Sequence, residues 1–423
     1  MLNYTLPSYT FSIQEHRLKL QFTDKIPEHH INGSLSFYLD QIKHHIHQRT
    51  NEWNDSKIYT NPYEFIHTNY NGKTSLTKLR PLSRSFYKII EIHKAFELPL
   101  KPKKTLHSLH IAEGPGGFIE GVRYMRNSQQ NEKDVYVGMS LISDDTTVPS
   151  WNKLRDKYGK DNKIVLEDGP DKNGDLFSLR NLDYMVSKYK NKCQLITADG
   201  GFDFSKNYRD QEVNITRLLF VQLFYAIMCQ QKDGCFVMKI FDIFTHASID
   251  IIYILTMFYD SVKISKPNTS RYANSEKYLI CKNFKFARSD IFFTSFRGVL
   301  NSINNNPDKY INRFLSIDYH YYFIKHIENM NSMFGQQQIE NINSTFIFMD
   351  NIYSYDIIEN QKKVIIQRCI KWCIEHNIPY NNLEKSIYIK RNIPNGFFTR
   401  KITTSTNNVN KVTNEKSFPT TSI

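Results

Sequence analysis

The stretch HIAEGPGGF at positions 110–118 decides the fold of this chain, because an apolar run there leads into a glycine-rich turn and then into helical spacing. Glycine lets the backbone approach a ligand closely, and a helix N-terminus offers free N–H groups to a carboxylate or phosphate. In an α/β sheet, the turn after the first strand is the usual ligand crevice. The turn lacks the G-x-G-x-x-G spacing of a dinucleotide site, and an ordinary tight turn is the alternative.

Short apolar runs alternate with longer helical stretches around this turn, from about residue 105 to residue 285. We predict strands over residues 106–112, 135–139, 163–166, 194–197, 235–240, 262–265 and 278–281. We predict helices over residues 82–96, 118–125, 179–188, 211–230 and 249–259. This alternation indicates an α/β fold with a mostly parallel seven-stranded sheet and helices on both faces.

The flanks of this domain have different patterns. We predict an N-terminal flanking segment, the α/β domain, a mainly helical C-terminal region and a flexible basic tail over residues 1–75, 76–285, 286–395 and 396–423. Positions 1–70 are irregular in pattern and indicate no function. The C-terminal region is expected to contain helices over residues 311–330 and 361–376.

Three polar side chains lie close to the ends of predicted strands. Asp199 follows a strand within TADGG, Lys239 lies inside GCFVMKI, and Glu276 begins the last strand. A lysine within an apolar strand is unusual, because desolvation disfavours its charged form. Each residue also has an ordinary explanation: a turn cap for Asp199, a snorkelling side chain for Lys239 and a surface position for Glu276.

Together with Lys88 in the predicted helix 82–96, these residues resemble the Lys-Asp-Lys-Glu tetrad of FtsJ-type ribose 2′-O-methyltransferases in order and spacing. The resemblance covers roughly residues 80–285 and rests on the segments SRSFYK, EGPGGF, ADGG, VMKIF and KPNTSRYANSEKY. It implies a Rossmann-like methyltransferase fold, S-adenosylmethionine as the cofactor and the ribose 2′-hydroxyl of RNA as the target. The turn EGPGGF is closer to the mRNA cap-methylating branch than to the rRNA branch.

The resemblance also implies roles for individual residues. The implied catalytic residues are Lys88, Asp199, Lys239 and Glu276. The implied cofactor-binding residues are Gly114, Gly116, Gly117 and Phe118 around the methionine part, Asp175 at the adenine, and Asp199. One position departs from the rRNA branch, which has an acid after the second strand to grip the cofactor ribose. Here that position reads GMSL, and Asp144 and Asp145 come only later, so no residue is assigned to this ribose.

The reaction that the resemblance implies is an attack of the ribose 2′-oxygen on the methyl group of the cofactor. A free hydroxyl is a poor nucleophile, and a lysine with a lowered pKa can accept its proton. Lys239 is expected to take this role, with Lys88 as a second positive charge that lowers the pKa of Lys239 and stabilises a developing alkoxide. Asp199 and Glu276 are expected to orient the two lysines. The alternative is a charged Lys239 that only steers the hydroxyl. Neither route needs a metal.

The charge of the chain favours a polyanionic partner. The formal net charge is +13 over 423 residues. Residues 71–107 carry two acids, Glu91 and Glu97, against nine basic residues: Lys73, Lys78, Arg80, Arg84, Lys88, Lys94, Lys101, Lys103 and Lys104. Such clustering is typical of a surface that faces phosphates, although a generally basic protein is the alternative. RNA, in particular the capped 5′ end of mRNA, is the partner that the family resemblance implies, and a capping enzyme is a further expected partner.

The six cysteines and the apolar runs bear on metal binding and location. Cys369 and Cys373 are four residues apart but lack a second pair, so buried free thiols are favoured over a zinc site.

No apolar run approaches the ~18 residues of a membrane span, and the N-terminus lacks a signal-peptide pattern, so we expect a soluble, intracellular protein. Similarity of the whole chain to a virus-encoded member of the family implies the cytoplasm of an infected cell, and the virion as a further location.

Two other functions remain open at this point. The first is ribose 2′-O-methylation of rRNA or tRNA by the same fold. The second is a non-catalytic RNA-binding subunit that keeps the fold. The complete tetrad is an argument against the second, because a scaffold does not need a lysine inside a core strand.

Overall fold

A computed structural model of the chain describes residues 1–8, 18–68, 75–101, 104–127, 133–145, 147–201, 211–351 and 355–381. Met1–Tyr380 forms one compact unit. Two members of the predicted basic cluster, Lys73 and Lys103, lie outside the described residues, as does the predicted tail 396–423.

The strands are β1 (Leu2–Thr5), β2 (Leu18–Thr23), β3 (His107–Ile111), β4 (Val135–Met139), β5 (Ile164–Glu167), β6 (Cys193–Ala198), β7 (Gln230–Ile240), β8 (Tyr259–Lys266), β9 (Lys277–Phe284) and β10 (Tyr310–Leu315). The helices are α1 (Gly33–Gln48), α2 (Thr50–Thr60), α3 (Ser85–Phe96), α4 (Gly117–Asn127), α5 (Asn152–Tyr158), α6 (Leu179–Tyr189), α7 (Gln211–Cys229), α8 (His246–Phe258), α9 (Phe293–Asn304), α10 (Tyr321–Asn351) and α11 (Tyr355–Glu375).

Eight of the strands form one sheet in the order β1-β8-β9-β7-β6-β3-β4-β5. The pairs from β5 to β7 are parallel, and the pairs that join β7, β9, β8 and β1 are antiparallel. The predicted α/β fold with a mostly parallel sheet is confirmed, and β1 adds an eighth strand to the seven expected. Because parallel strands end at the same edge, the carboxyl ends of β3, β4, β6 and β7 meet there. This edge carries the candidate site.

Two expectations about the flanks were wrong. Positions 1–70 are not irregular, since they contain β1, β2, α1 and α2. The predicted helix 311–330 begins with a strand, because β10 pairs with β2 and helix α10 starts only at Tyr321. A buried carboxylate holds this segment extended: Asp250 accepts hydrogen bonds from the backbone N–H groups of Phe314 (2.7 Å) and Leu315 (3.2 Å).

The apolar residues pack in two layers, one on each face of the sheet. Helix α7 lies in the larger layer and is long and apolar enough to cross a membrane, the one such helix in the described part of the chain. The expectation that no run approaches that length was therefore wrong for α7. The apolar window of α7 is 83% buried inside the protein, as is typical of a core helix.

The smaller layer depends on the close approach of α3 and α4. Gly117 begins α4 against the start of α3, and a methyl group placed on Gly117 would lie 2.1 Å from Ser85 Oγ and 2.2 Å from Ser83 Oγ. We therefore expect Gly117→Ala to lower the free energy of unfolding by about 1–3 kcal/mol through overpacking. Urea denaturation measures this effect. Gly298→Ala in α9 is the control, because nothing lies within 4 Å of the added methyl group.

Candidate active site

The four predicted catalytic residues come together at the carboxyl edge of the sheet. Lys88 is on α3, Asp199 directly follows β6, Lys239 lies near the end of β7, and Glu276 directly precedes β9. They form two ion pairs, Lys88 with Glu276 (2.6 Å) and Lys239 with Asp199 (3.3 Å). The structure thus brings together four side chains that are far apart in sequence, as the sequence predicted.

The pair of Lys88 and Glu276 is the more deeply buried of the two, with side chains 6% and 12% exposed. Burial lowers the pKa of Lys88, and the charges of Glu276 and Asp199 act against this effect. Burial alone would raise the pKa of Glu276, but the Lys88 and Lys239 ammonium groups hold it well below its usual range. Glu276 is therefore an ionised carboxylate that balances the charge of Lys88.

Lys239 reaches past the end of β7 to the turn after β6. Its Nζ donates to the carbonyl oxygen of Asp199 at 2.6 Å and lies 3.3 Å from Oδ1 of the same residue. A methyl group on Gly201 would lie 3.2 Å from this Nζ, so the small residue leaves room beside the ammonium group. The Lys239 and Asp199 side chains are 14% and 15% exposed, which leaves both within reach of a ligand at the edge.

Tyr278 joins the two ion pairs, although the sequence did not single it out. Its hydroxyl donates to Asp199 Oδ1 at 2.9 Å and accepts from Lys88 Nζ at 3.3 Å. Burial raises the pKa of Tyr278 well above its usual value, so the hydroxyl keeps its proton. The signal was available in the strand register: Tyr278 stands opposite Lys239 in the antiparallel pair of β7 and β9, and opposite residues share a face of the sheet.

The Tyr278 hydroxyl gives a direct test of this network. We expect Tyr278→Phe to lower kcat for methyl transfer at least roughly tenfold, since a hydrogen bond to a charged group contributes ~1.5–3 kcal/mol. Cofactor affinity should stay within about twofold. Tyr259→Phe is the matched control, because Tyr259 is equally buried on β8 and its hydroxyl donates to Gln230 instead. Unchanged turnover in Tyr278→Phe would show that the bridge has no part in catalysis.

The loop between β8 and β9 positions Glu276. Ser270 Oγ donates to Glu276 Oε1 at 2.7 Å, and Arg84 on the loop's other side donates to the Thr269 carbonyl at 2.6 Å. Arg271 forms a two-pronged ion pair with Glu64, a fully buried acid before the α/β domain. Elements from outside residues 76–285 therefore help to fix the Glu276 carboxylate.

The glycine-rich turn lies directly after β3, as predicted. Ala112 and Gly116 have φ angles of 54° and 105°, in the left-handed region that favours glycine. A methyl group on Gly114 would lie 2.0 Å from the Pro149 carbonyl oxygen, so only glycine fits there. Phe118 is fully buried, with its ring 5.8 Å from that of Tyr278. Any contact of Phe118 with a ligand would thus be made by its backbone.

Asp175 lies in the turn after β5, at the same edge but away from the tetrad. A methyl group on Gly174 would lie 2.0 Å from the Ser140 carbonyl oxygen, so this turn packs against the end of β4. Asp175 is partly exposed, and its Oδ1 accepts from the Phe177 N–H at 2.9 Å. Asp144 and Asp145 are the acids that follow the GMSL segment at the end of β4. The Asp145 carboxylate accepts hydrogen bonds from the N–H and the hydroxyl of Thr147, both at 2.8 Å.

The residues at this edge fit S-adenosylmethionine, the cofactor implied by the resemblance. The amide of Gln222 is fully buried and has no hydrogen-bond partner within the described residues. It lies against Gly200, where an added methyl group would stand 2.0 Å from its Nε2 and 2.9 Å from the Ala112 side chain. An unpaired amide between the β3 and β6 turns is a polar group available to a polar ligand. The turns thus offer glycines, an acid and an amide to a zwitterionic amino-acid moiety.

Within the residues that the structure describes, no group of three or more His, Cys, Asp or Glu side chains is placed to hold a metal ion. All six cysteines are buried free thiols. Burial raises the pKa of Cys373 to about 12, so this thiol stays protonated at neutral pH.

Comparison with known proteins agrees with this geometry. The family model described as FtsJ-like methyltransferase matches residues 81–284. The chain is 27% identical over 385 residues to a cap-specific mRNA (nucleoside-2'-O-)-methyltransferase 1 from Dictyostelium discoideum, which covers 85% of this chain and 48% of that protein. It is 28% identical over 281 residues to a cap-specific mRNA (nucleoside-2'-O-)-methyltransferase 2 from Mus musculus, which covers 60% of this chain and 35% of that protein.

Among solved structures, a ribosomal RNA methyltransferase from Plasmodium falciparum aligns with 48% of this chain and 98% of its own, at 19% identity and a TM-score of 0.34. The chain spans about half the length, or less, of the curated relatives named above. The family match covers β3 to β9, the glycine-rich turn and all four tetrad residues. Residues 81–284 of this chain are therefore similar in sequence to the FtsJ-like methyltransferase family.

Proposed function

We propose that the protein is an S-adenosylmethionine-dependent methyltransferase that acts on the ribose 2′-hydroxyl of RNA at the mRNA cap. The observation that carries this proposal is the network of Lys88, Asp199, Lys239 and Glu276 beside the glycine-rich turn. The curated relatives, which are cap-specific mRNA 2′-O-methyltransferases by name, support the cap as the target.

The chain's own residues would bind, orient and activate the reactants. The cofactor supplies an electrophilic methyl group on a sulfonium sulfur. The turn around Gly114 and Gly116 would hold its methionine part, and the turn at Asp175 its adenine. Lys239 would take the proton of the 2′-hydroxyl as the oxygen bonds to the methyl carbon and the carbon–sulfur bond breaks. Asp199 would hold Lys239 in place, while Lys88 contributes positive charge near the developing alkoxide and Glu276 fixes Lys88.

Methyl transfer to short RNAs tests the proposal. Three RNAs of one sequence should carry a methylated guanosine cap, an unmethylated guanosine cap or no cap, with mass spectrometry used to locate the methyl group. We expect transfer to the first transcribed ribose of a capped RNA. Transfer to the uncapped RNA alone would indicate that the target is rRNA or tRNA and not the mRNA cap. No transfer, together with no detectable binding of S-adenosylmethionine, would overturn the enzyme and favour an RNA-binding subunit.

We also propose partners and a location. A capping enzyme would supply the substrate, because the cap guanosine must be added to the RNA before the first transcribed nucleotide of a capped end can be methylated. The chain resembles the FtsJ-domain protein of African swine fever virus, and on this resemblance we propose a viral protein that acts in the cytoplasm of an infected cell and is carried in the virion. Fractionation of infected cells and of purified virions, followed by detection of the chain, tests this location.

A further inference from the structure

Helix α11 contacts α3, the helix that carries Lys88, at the buried carboxylate of Glu91. The Tyr87 ring also packs against Trp372, and Lys94 donates to the Glu375 carbonyl. Glu91 lies on α3, three residues after Lys88, and is 1% exposed. The indole N–H of Trp372 on α11 donates to Glu91 Oε1. On the other side, the backbone N–H and the hydroxyl of Thr269 donate to Glu91 Oε2 at 3.3 Å and 3.4 Å. Both carboxylate oxygens are therefore occupied, one by each of two distant segments.

Thr269 begins a short series of contacts that leads from Glu91 to Glu276 and Lys88. It precedes Ser270, whose hydroxyl donates to Glu276, and Glu276 pairs with Lys88. Because α3 carries both Glu91 and Lys88, the series of contacts returns to the helix on which it began. A shift of Glu91 would thus move the loop that holds Glu276 relative to the helix that holds Lys88.

We propose that Trp372 and Glu91 are positioning residues for the catalytic pair of Lys88 and Glu276, so that α11 sets the geometry of the active site. This inference rests on the proposed methyltransferase function. It gives a catalytic task to a helix that lies outside residues 81–284. The indole N–H is suited to it, because tryptophan at this site can only donate and Glu91 only accept in its ionised form.

The surroundings of Glu91 leave its charge finely balanced. Burial raises the pKa of Glu91 to about 7, and the hydrogen bonds from Trp372 and Thr269 and the charge of the Met1 amino group act against this effect. Asn268 on the loop donates a further backbone hydrogen bond, and Tyr63 and Tyr272 face the same carboxylate. Loss of the indole donor therefore weakens the ionised form on which the two contacts depend.

Trp372→Phe tests the inference, because it removes the indole N–H but keeps an aromatic ring beside Tyr87. We expect kcat for methyl transfer to fall about tenfold, whereas the KM for S-adenosylmethionine stays within about twofold. The decisive measurement is a double-mutant cycle with Glu276→Gln. If Trp372 acts through Glu276, the loss caused by Trp372→Phe disappears in the Glu276→Gln background. Equal losses in both backgrounds, or an unchanged kcat, would overturn the proposal.

A second measurement does not depend on activity. Hydrogen exchange at the Thr269 amide should be faster in Trp372→Phe than in the wild type, because this amide donates to Glu91. Trp53→Phe is the matched control, since Trp53 is also buried but packs against Phe346 on α10. If the wild type transfers no methyl group, the proposed function fails, whereas exchange at Thr269 still shows whether Trp372 orders the loop that holds Glu276. Unchanged exchange at Thr269 in Trp372→Phe would overturn the inference.

Discussion

Lys239→Met is expected to abolish methyl transfer while cofactor binding remains. The Nζ of Lys239 lies near the end of β7 beside Asp199, 3.2 Å from where a methyl group on Gly201 would stand. Loss of a general base typically lowers the rate by about 10²–10⁴-fold. Radiolabelled methyl transfer measures the rate, and calorimetric titration with S-adenosylmethionine measures binding. Near wild-type turnover would remove Lys239 from the mechanism.

A control and a pH profile sharpen this experiment. Lys232→Met changes an exposed lysine at the opposite end of the same strand and should leave the rate unchanged. The pH dependence of the wild-type rate separates the two roles considered for Lys239. A general base requires the rate to rise with pH as the lysine loses its proton, whereas a purely steering ammonium group requires the rate to fall at high pH.

Glu276→Gln is expected to cause the largest loss of stability. The change removes the partner of Lys88, whose ammonium group is buried and 2.6 Å from the carboxylate. Breaking a buried ion pair from one side typically costs about 3–5 kcal/mol, because it leaves a charge without compensation. We expect a loss of this size in the free energy of unfolding at pH 7, measured by urea denaturation. We also expect kcat for methyl transfer to fall to a low but measurable value.

The pH dependence of this loss follows from the direction of the pKa shift. The pKa of Glu276 in the folded protein is well below its unfolded value of about 4.3. The ionised carboxylate thus contributes stability above pH ~4.3, and this contribution is lost as the pH falls further. The difference between wild type and Glu276→Gln should accordingly shrink below pH ~4. Glu340→Gln, at an exposed position of α10, should show no such difference. A gap that is constant with pH would rule out the ion pair as its source.

The sequence predicted seven of the eight strands of the main sheet from local patterns, and it predicted the tetrad through the family resemblance. Apolar runs at the right spacing fixed the strands from β3 to β9, and Lys239 stood out because a lysine within a core strand is costly. Tyr278 did not stand out, because a tyrosine in an apolar strand is ordinary. Only the pairing of β7 with β9 brings its hydroxyl between Lys88 and Asp199. Pairing across strands is tertiary information that one segment does not contain.

The flanks were harder to predict for the same reason. Helix α1 buries only Ser36, Leu39 and Ile42, so its apolar stripe is narrow and its sequence looks irregular. Strand β10 is stabilised by its pairing with β2 and by Asp250, about 60 residues earlier in sequence, rather than by its own composition. The support of the Glu276 loop by Glu64 and Glu91 likewise depends on contacts between distant segments.

Strand β1 covers an edge of the sheet that would otherwise be open to strand pairing with another chain. It pairs with β8 from Leu2↔Lys266 to Thr5↔Lys263, and the N–H of Leu6 continues the pairing to the carbonyl of Val262 at 3.0 Å. Without it, the eight-residue strand β8 would offer its open hydrogen-bonding groups to another polypeptide, as long edge strands do in aggregates. The four-residue β1 leaves a much shorter template in its place. We therefore expect solubility at high concentration to depend on a few residues of β1 that lie outside the candidate site.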